Sequence, residues 1–377
     1  PIPDEQVAVA HRGASSISRE HVARHGNLSG MARVLLLFGG KSAEHEVSCV
    51  SAVAVMQALE GGGHQVILVG IDRKGEWHLA DRSRRPLVAA GRPVALRVPA
   101  GTLSSGADEI GFDVVFPVLH GPFGEDGTIQ GLFEIAGTPY VGCDVLSSAV
   151  AMEKDLTKQI LVQAGLPTAP WTVVREEEFS NAPAVVARVV AEVGLPAFVK
   201  PVQLGSSVGV SRAATEAELK EGIEAALRHG SKVIVEEAIK GREIELAVLE
   251  GPRVSNPGEI VIEGDWYDYE SKYHDETSRF VTPAELTSPQ VERVRDLAAR
   301  AFTALECRGL ARVDFFLERG RGFLINEVNT MPGFTPISMY PKMWDASGLD
   351  YPRLIDRLVE LAIARHERGA RHTRTDH

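Results

Sequence analysis

The stretch Glu306–Gly333, ECRGLARVDFFLERGRGFLINEVNTMPG, carries two apolar, β-rich runs separated by the short turn Glu318-Arg-Gly-Arg-Gly322. That pattern predicts an antiparallel hairpin. Side chains two apart on a strand share a face, so Arg312 and Asp314 point one way on the first strand, and Glu327 and Asn329 share a face on the second. A lone Asp or Glu there would be a solvated charge. Four polar residues inside otherwise apolar strands need partners, because buried carboxylates are rare unless paired or bound to metal. Two carboxylates and an amide oxygen beside a guanidinium suit hard Mg²⁺ ions that keep several waters and are completed by substrate phosphates. The hairpin therefore predicts a nucleotide site with Asp314, Glu327 and Asn329 as metal ligands.

At 377 residues the chain exceeds the size at which a single core stops growing, so two or three domains are expected. A net charge of -11 argues against a nucleic-acid surface and for a small-molecule partner. Cys49, Cys143 and Cys307 are far apart and form no CxxC, which points to neither a zinc site nor a disulfide framework and fits a reducing cytoplasm. No apolar stretch is long enough to span a bilayer, so no membrane partner is expected. Residues 1–30 show no steady period and precede a Met-Ala-Arg that opens a strand; they read as a leader outside the fold, and 369–377 as a polar tail.

From Met31 onward strands and helices alternate: a strand over Arg33–Phe38, a helix over Val47–Leu59, strands over Gln65–Ile71 and Asp113–Val118, and a helix over Thr128–Ala136. This predicts a parallel α/β sheet with ligands at the carboxyl ends of its strands. The Arg-, Pro- and Gly-rich segment from Gly75 to Gly111 is expected to wander over the surface. An α+β lobe follows, with one helix from Ser147 through Ala164, a strand ending at Lys200, a helix near Glu216–Leu227 and a strand over Val233–Glu237. Residues 264–283 lack core periodicity and exceed an ordinary connection, which predicts a functional lid. Ser288-Pro289 supplies a cap and a first-turn Pro for a helix through Leu305.

Three Gly-rich turns follow strand ends. Phe38-Gly-Gly-Lys-Ser-Ala-Glu-His-Glu46 opens a helix, so backbone N–H groups face a ligand, yet it matches neither the dinucleotide fingerprint nor a P-loop. An oxidoreductase built on the first βα unit is disfavoured for that reason. His120-Gly-Pro-Phe-Gly-Glu-Asp-Gly127 implies close backbone approach. Gln203-Leu-Gly-Ser-Ser-Val-Gly209, directly after Phe198-Val-Lys200-Pro, is a hydroxyl-bearing loop able to fold over phosphates with Lys200 as a point charge.

His120-Gly-Pro-Phe-Gly-Glu-Asp-Gly-Thr-Ile-Gln-Gly131 and the Arg312–Gly333 block resemble signatures of the D-alanine–D-alanine ligases, members of the ATP-grasp superfamily. Lys-Pro-Val-Gln-Leu-Gly-Ser-Ser-Val-Gly and Tyr-Asp-Tyr-Glu-Ser-Lys-Tyr273 are similar to that family's phosphate and omega loops, and the likeness runs from about Ala32 to the last helix. The resemblance implies a three-domain ATP-grasp fold: an N-terminal parallel α/β domain at 31–144, a central lobe at 145–235 and a C-terminal lobe at 236–368 with the lid at 264–283. It implies ATP-dependent joining of two D-alanine molecules through an acyl phosphate, for peptidoglycan precursors, by a cytoplasmic homodimer.

By the same resemblance, Asp314, Glu327 and Asn329 hold two Mg²⁺ ions, which Mn²⁺ could replace. Lys154, Lys200, Ser206, Ser207 and Lys272 hold the phosphates, and Glu236, Glu237, Ile239 and Glu243 line the adenosine pocket. Arg312 and the N–H of Gly333 form the oxyanion hole. Glu46 takes the first substrate's ammonium with His120 nearby, Lys272 also faces substrate, and Ser338 with the backbone of Met339 takes the second substrate's carboxylate. Glu46, Ser206 and Tyr273 form a hydrogen-bonded set that ties the N-terminal domain to the phosphate loop and lid. Glu237 departs from the lysine of many relatives, and His274-Asp-Glu-Thr-Ser-Arg279 is more charged than the family's lid. The alternatives are a D-alanine–D-lactate or D-alanine–D-serine ligase and, more remotely, a non-catalytic nucleotide-binding regulator.

Overall fold

The computed structural model describes residues 31–99, 101–205, 209–262 and 278–372. The leader, the end of the tail, most of the lid, and Ser206, Ser207, Lys272 and Tyr273 lie outside the described residues.

The N-terminal part comprises β1 (Arg33–Gly39), α1 (His45–Gly61), β2 (Gln65–Ile71), β3 (Trp77–Ala80), β4 (Gly91–Pro93), β5 (Ala95–Arg97), β6 (Thr102–Ser105), β7 (Asp108–Gly111), β8 (Val114–Val118) and α2 (Thr128–Ile135). Its main sheet runs β4-β3-β2-β1-β8, with β1 parallel to both β2 and β8. The continuous apolar run Val34–Phe38 marks a strand covered on both faces, and all five residues are fully buried. The segment expected to wander, 75–111, instead forms β3 to β7, three of them as a separate small sheet. Strands of three or four residues are too short to show a period, and the buried Leu87, Ala89, Val94 and Leu103 in and beside them lie in short apolar stretches broken by Arg, Pro and Gly.

The expected single helix after Ser147 is two, α3 (Val145–Met152) and α4 (Lys154–Gln163), broken at Glu153 where the backbone leaves the helical region (φ -87, ψ 85). The break sets Lys154 at the start of α4. Then come β9 (Trp171–Arg175), α5 (Ala182–Val193), β10 (Ala197–Pro201), β11 (Ser211–Ala213), α6 (Glu216–Leu227) and β12 (Lys232–Glu237). The antiparallel sheet β11-β10-β12-β9 packs Val199, Val233 and Val235 against Val185, Val189, Leu219 and Ile223 of the two helices. With a period of two, Lys200 and Glu236 project from the other face.

The third sheet, β16-β15-β13-β17-β18 with β14 beside β13, is built from β13 (Gly241–Leu249), β14 (Arg253–Val254), β15 (Gly258–Ile262), β16 (Ser278–Val281), β17 (Leu310–Glu318) and β18 (Gly322–Asn329). Part of the expected lid, Ser278–Val281, is thus an edge strand on β15. Helix α7 (Ser288–Ala304) covers one sheet face with Val294, Leu297 and Ala301. Its cap is Thr287, in a capping box with Gln290, rather than Ser288, which begins the helix. After α8 (Met339–Asp345), the long α9 (Tyr351–His372) packs Leu354, Leu358 and Ala362 into the same core as α1 and the first sheet. Among the described residues, no helix is long and apolar enough to cross a membrane.

Candidate active site

β17 and β18 pair antiparallel with Arg312 opposite Asn329 and Asp314 opposite Glu327. β13 extends the row, setting Glu245 beside Asp314. A bulge lies between Asp314 and Phe315, whose partners are Glu327 and Ile325, so Asn326 is the extra residue. The bulge reverses the parity of β18: Phe323, Ile325 and Val328 face the core while Glu327 and Asn329 stay on the polar face. Arg312 donates Nε and Nη2 to Asp314 at 2.7 and 2.6 Å, and its Nε lies 3.3 Å from Glu245. Burial works against its charge, but Asp314 and Glu245 hold the guanidinium well above its usual range. Asn329 donates Nδ2 to Asp314 at 2.9 Å, which keeps its carbonyl oxygen out of that bond.

This face forms one wall of a cleft of about 580 Å³. Of the expected site residues, Glu46, His120, Lys154, Glu243, Arg312, Asp314, Glu327, Asn329, Gly333, Ser338 and Met339 line it. Lys154 donates to the carbonyls of Leu204 and Val202 at 2.7 and 3.3 Å, so it fastens the start of the Gly-rich loop that follows Lys200. Ser338 shares a 2.7 Å hydrogen bond with Thr335, and its hydroxyl would stand 3.0 Å from a Cβ at Gly333. Buried His120 bonds Met331 O through Nδ1 at 3.0 Å, while its Nε2 has no partner among the described residues. Burial pulls the imidazole below its usual range, against a nearby Glu44 that favours the charged form. Glu125, from the same Gly-rich turn, accepts from Gly121 N at 2.5 Å and Met331 N at 3.1 Å. Burial first, and then Glu44, push its carboxyl up to about 8.

Glu46 differs from expectation. Its side chain is 70% exposed at the rim, and Arg73 Nη2 donates to both of its oxygens at 2.6 Å, which lowers its pKa. Glu44 is the carboxylate turned inward. Its Oε2 would stand 2.7 Å from a Cβ at Gly121 and 3.6 Å from one at Gly205, so glycine at 121 is what leaves room for it beside Gly205.

Four other expected residues do not line the cleft. Lys200 and Glu236 form an ion pair at 2.6 Å outside its lining, and Lys158 lies 2.8 Å from the second oxygen of Glu236. Glu237 accepts both guanidinium nitrogens of Arg321, at 2.7 and 2.9 Å, from the β17–β18 turn. The charge of Glu237 is thus matched across the two sheets. Ile239 sits half-buried in the connection from β12 to β13.

Residues 33–143 match the family model of the D-ala D-ala ligase N-terminus, and residues 160–360 match that of the C-terminus. The chain belongs to the D-alanine–D-alanine ligase family. It is 46% identical over 364 residues to the D-alanine–D-alanine ligase of Streptomyces griseus, covering 88% of this chain and 93% of that one. The solved D-alanine–D-alanine ligase of Coxiella burnetii superposes with a TM-score of 0.80 at 36% identity, over 92% of this chain and 98% of that one. The VanG D-Ala:D-Ser ligase of Enterococcus faecalis gives 0.78 at 36% identity, over 88% and 99%. The fold is the ATP-grasp fold of these D-alanine–D-alanine ligases.

Glu245, Glu125, Glu44 and Lys158 complete the surroundings of this ligase-family site without having been singled out as site residues. Glu245 had a signal, since it stands two residues after Glu243 on the alternating strand Arg-Glu-Ile-Glu-Leu. Lys158 had none.

Proposed function

We propose that this chain is an ATP-dependent ligase that joins two D-alanine molecules with release of ADP and phosphate, supplying peptidoglycan precursors in the cytoplasm. The observation that carries the reading is the polar face Arg312–Asp314–Glu327–Asn329 set in the cleft wall with Lys154 and Gly205 among its other lining residues. The oxygen donor set fits hard divalent ions: two carboxylates and an amide whose nitrogen is already bonded elsewhere. Asp314, Glu327 and Asn329 would hold Mg²⁺, in two ions replaceable by Mn²⁺, and the metal would neutralise phosphate charge. Lys154, Lys200, Lys272, Ser206 and Ser207 take the phosphates, while Glu237, Ile239 and Glu243 stand at the adenosine end; Glu236, with both oxygens on Lys200 and Lys158, is left out of that contact.

The first D-alanine carboxylate attacks the γ-phosphate to give an acyl phosphate, and the second D-alanine's amine then displaces phosphate. Positioning and charge dominate such chemistry. Arg312 and the N–H of Gly333 stabilise the tetrahedral oxyanion, and Ser338 with the backbone of Met339 takes the second carboxylate. His120 faces the first substrate through the nitrogen that Met331 leaves open. Because Arg73 occupies Glu46, Glu44 is the carboxylate we assign to the first ammonium and to the set with Ser206 and Tyr273. Domains at 31–144, 145–235 and 236–368, and a homodimer, complete the reading.

The test is phosphate release from ATP with D-alanine alone and with D-alanine plus D-serine or D-lactate, with products identified by mass. D-alanyl-D-alanine as the main product is expected. Absence of D-alanine-dependent release would overturn the ligase reading, and preference for D-serine or D-lactate would move it to the alternative.

A further inference from the structure

Outside the cleft lining, one buried carboxylate is shared by two ammonium groups. Lys158 of α4 lies 2.8 Å from Glu236 Oε1, and Lys200 of β10 lies 2.6 Å from Glu236 Oε2. Their side chains are 2%, 5% and 17% exposed for Lys158, Glu236 and Lys200. Two cations on one anion exceed what neutrality requires, and burying a lysine is costly. Lys158 does not line the cleft, and its ammonium otherwise has the Trp171 ring 6.0 Å away. Lys200 differs. Burial opposes its charge, but Glu236 and the cleft carboxylates Glu327 and Glu243 favour the charged form, and its side chain is the less buried of the two lysines.

For Lys200 to reach a nucleotide oxygen it must release Glu236. Were these two the only partners, that departure would strand an unpaired carboxylate in a dry site, and a stranded buried charge is strongly unfavourable. The pair would then stay shut. With Lys158 in place, Glu236 keeps a cation whichever way Lys200 turns. We propose that Lys158 is a positioning residue: by holding Glu236 it frees Lys200 for the nucleotide. This rests on the ATP reading above.

The experiment is equilibrium binding of a non-hydrolysable ATP analogue with Mg²⁺, by calorimetry, to the full chain and to Lys158→Met and Lys158→Met/Glu236→Gln, with each variant's melting temperature recorded. Lys158→Met is expected to raise Kd at least about tenfold, since Lys200 is then held by Glu236. The double variant is expected to bind at least about threefold more tightly than Lys158→Met, because the trap is gone. A purely structural lysine would give no such recovery. Unchanged Kd in Lys158→Met, or a double variant no better than the single, overturns the proposal. Should Lys158→Met not fold, Lys158→Gln, which removes the charge but keeps a donor, carries the same expectation. Failure of the unmodified chain to bind the analogue would instead overturn the ATP reading.

Discussion

Replacing Glu327 by Gln separates what the polar face costs the empty protein from what it gives the loaded one. Glu243, Glu245, Asp314 and Glu327 share that face with one guanidinium, Arg312, so it is formally three charges negative among its described residues. Glu327 sits directly opposite Asp314. Groups so placed are about 5 Å apart, and bare like charges at that distance repel by about 3 kcal/mol at an effective dielectric of about 20. The two-pronged bond from Arg312 cancels most of Asp314's charge. Roughly 1 kcal/mol of repulsion then remains, offset by the attraction of Glu327 to Arg312 and Lys200, so Glu327→Gln should move the ligand-free Tm by no more than about two degrees.

With Mg²⁺ and a non-hydrolysable ATP analogue the two proteins should separate. Losing a charged oxygen ligand at about 3 kcal/mol weakens binding roughly a hundredfold. At a ligand concentration of about 100 Kd for the unmodified protein, its gain is about 2.7 kcal/mol; the variant, then near its own Kd, gains about 0.4 kcal/mol. Thermal unfolding with and without ligand measures both. If Glu327→Gln keeps the full ligand-induced increment, Glu327 does not hold the metal and the assignment of the face fails.

Three further outcomes are expected. Arg312→Ala should lower the D-alanine-dependent rate by about 10² to 10³, the usual loss on removing an oxyanion donor, and a variant retaining more than about a tenth of the rate would refute that role. Glu44→Gln should raise the KM for D-alanine at least about tenfold while Glu46→Gln changes it less than about threefold; initial rates with the order reversed would show that the inward placement of Glu44 was misread. Glu236, held by Lys158 and Lys200 against its burial, has its pKa lowered to about 2 from 4.5. A depressed carboxyl stabilises the fold above the unfolded value and loses that stabilisation as pH falls from about 4.5 to about 2, an effect of about 3 kcal/mol. Denaturant titrations between pH 5 and 3 should therefore show a shallower acid loss in Glu236→Gln; an identical slope would show that the ion triplet does not govern acid stability.

What was readable in the sequence follows the reach of each physical signal. A strand repeats every second residue whatever surrounds it, so the faces of Arg312, Asp314, Glu327 and Asn329 could be read directly, and so could the apolar strand Arg33–Phe38. The bulge at Asn326 could not, because it shows only when the partner strand fixes the register, even though it is what lets Ile325 and Glu327 face opposite ways. Lys158 reads as a surface lysine, since nothing local tells that Glu236 lies on a strand packed over α4.

The two glutamates at the start of α1 are the sharpest case. Glu44 is the cap residue just before α1 and Glu46 lies in its first turn, so the two carboxylates leave the helix start in different directions. Both are equally apt, by charge, for a helix N-terminus or an ammonium. What separates them is distant in sequence: Gly121 and Gly205 leave space on one side, and Arg73, carried in by the β2–β3 turn, fills the other. A motif names the pair of carboxylates, but the choice between them belongs to tertiary neighbours, and that is why the ammonium assignment moves from Glu46 to Glu44 once the turns are placed.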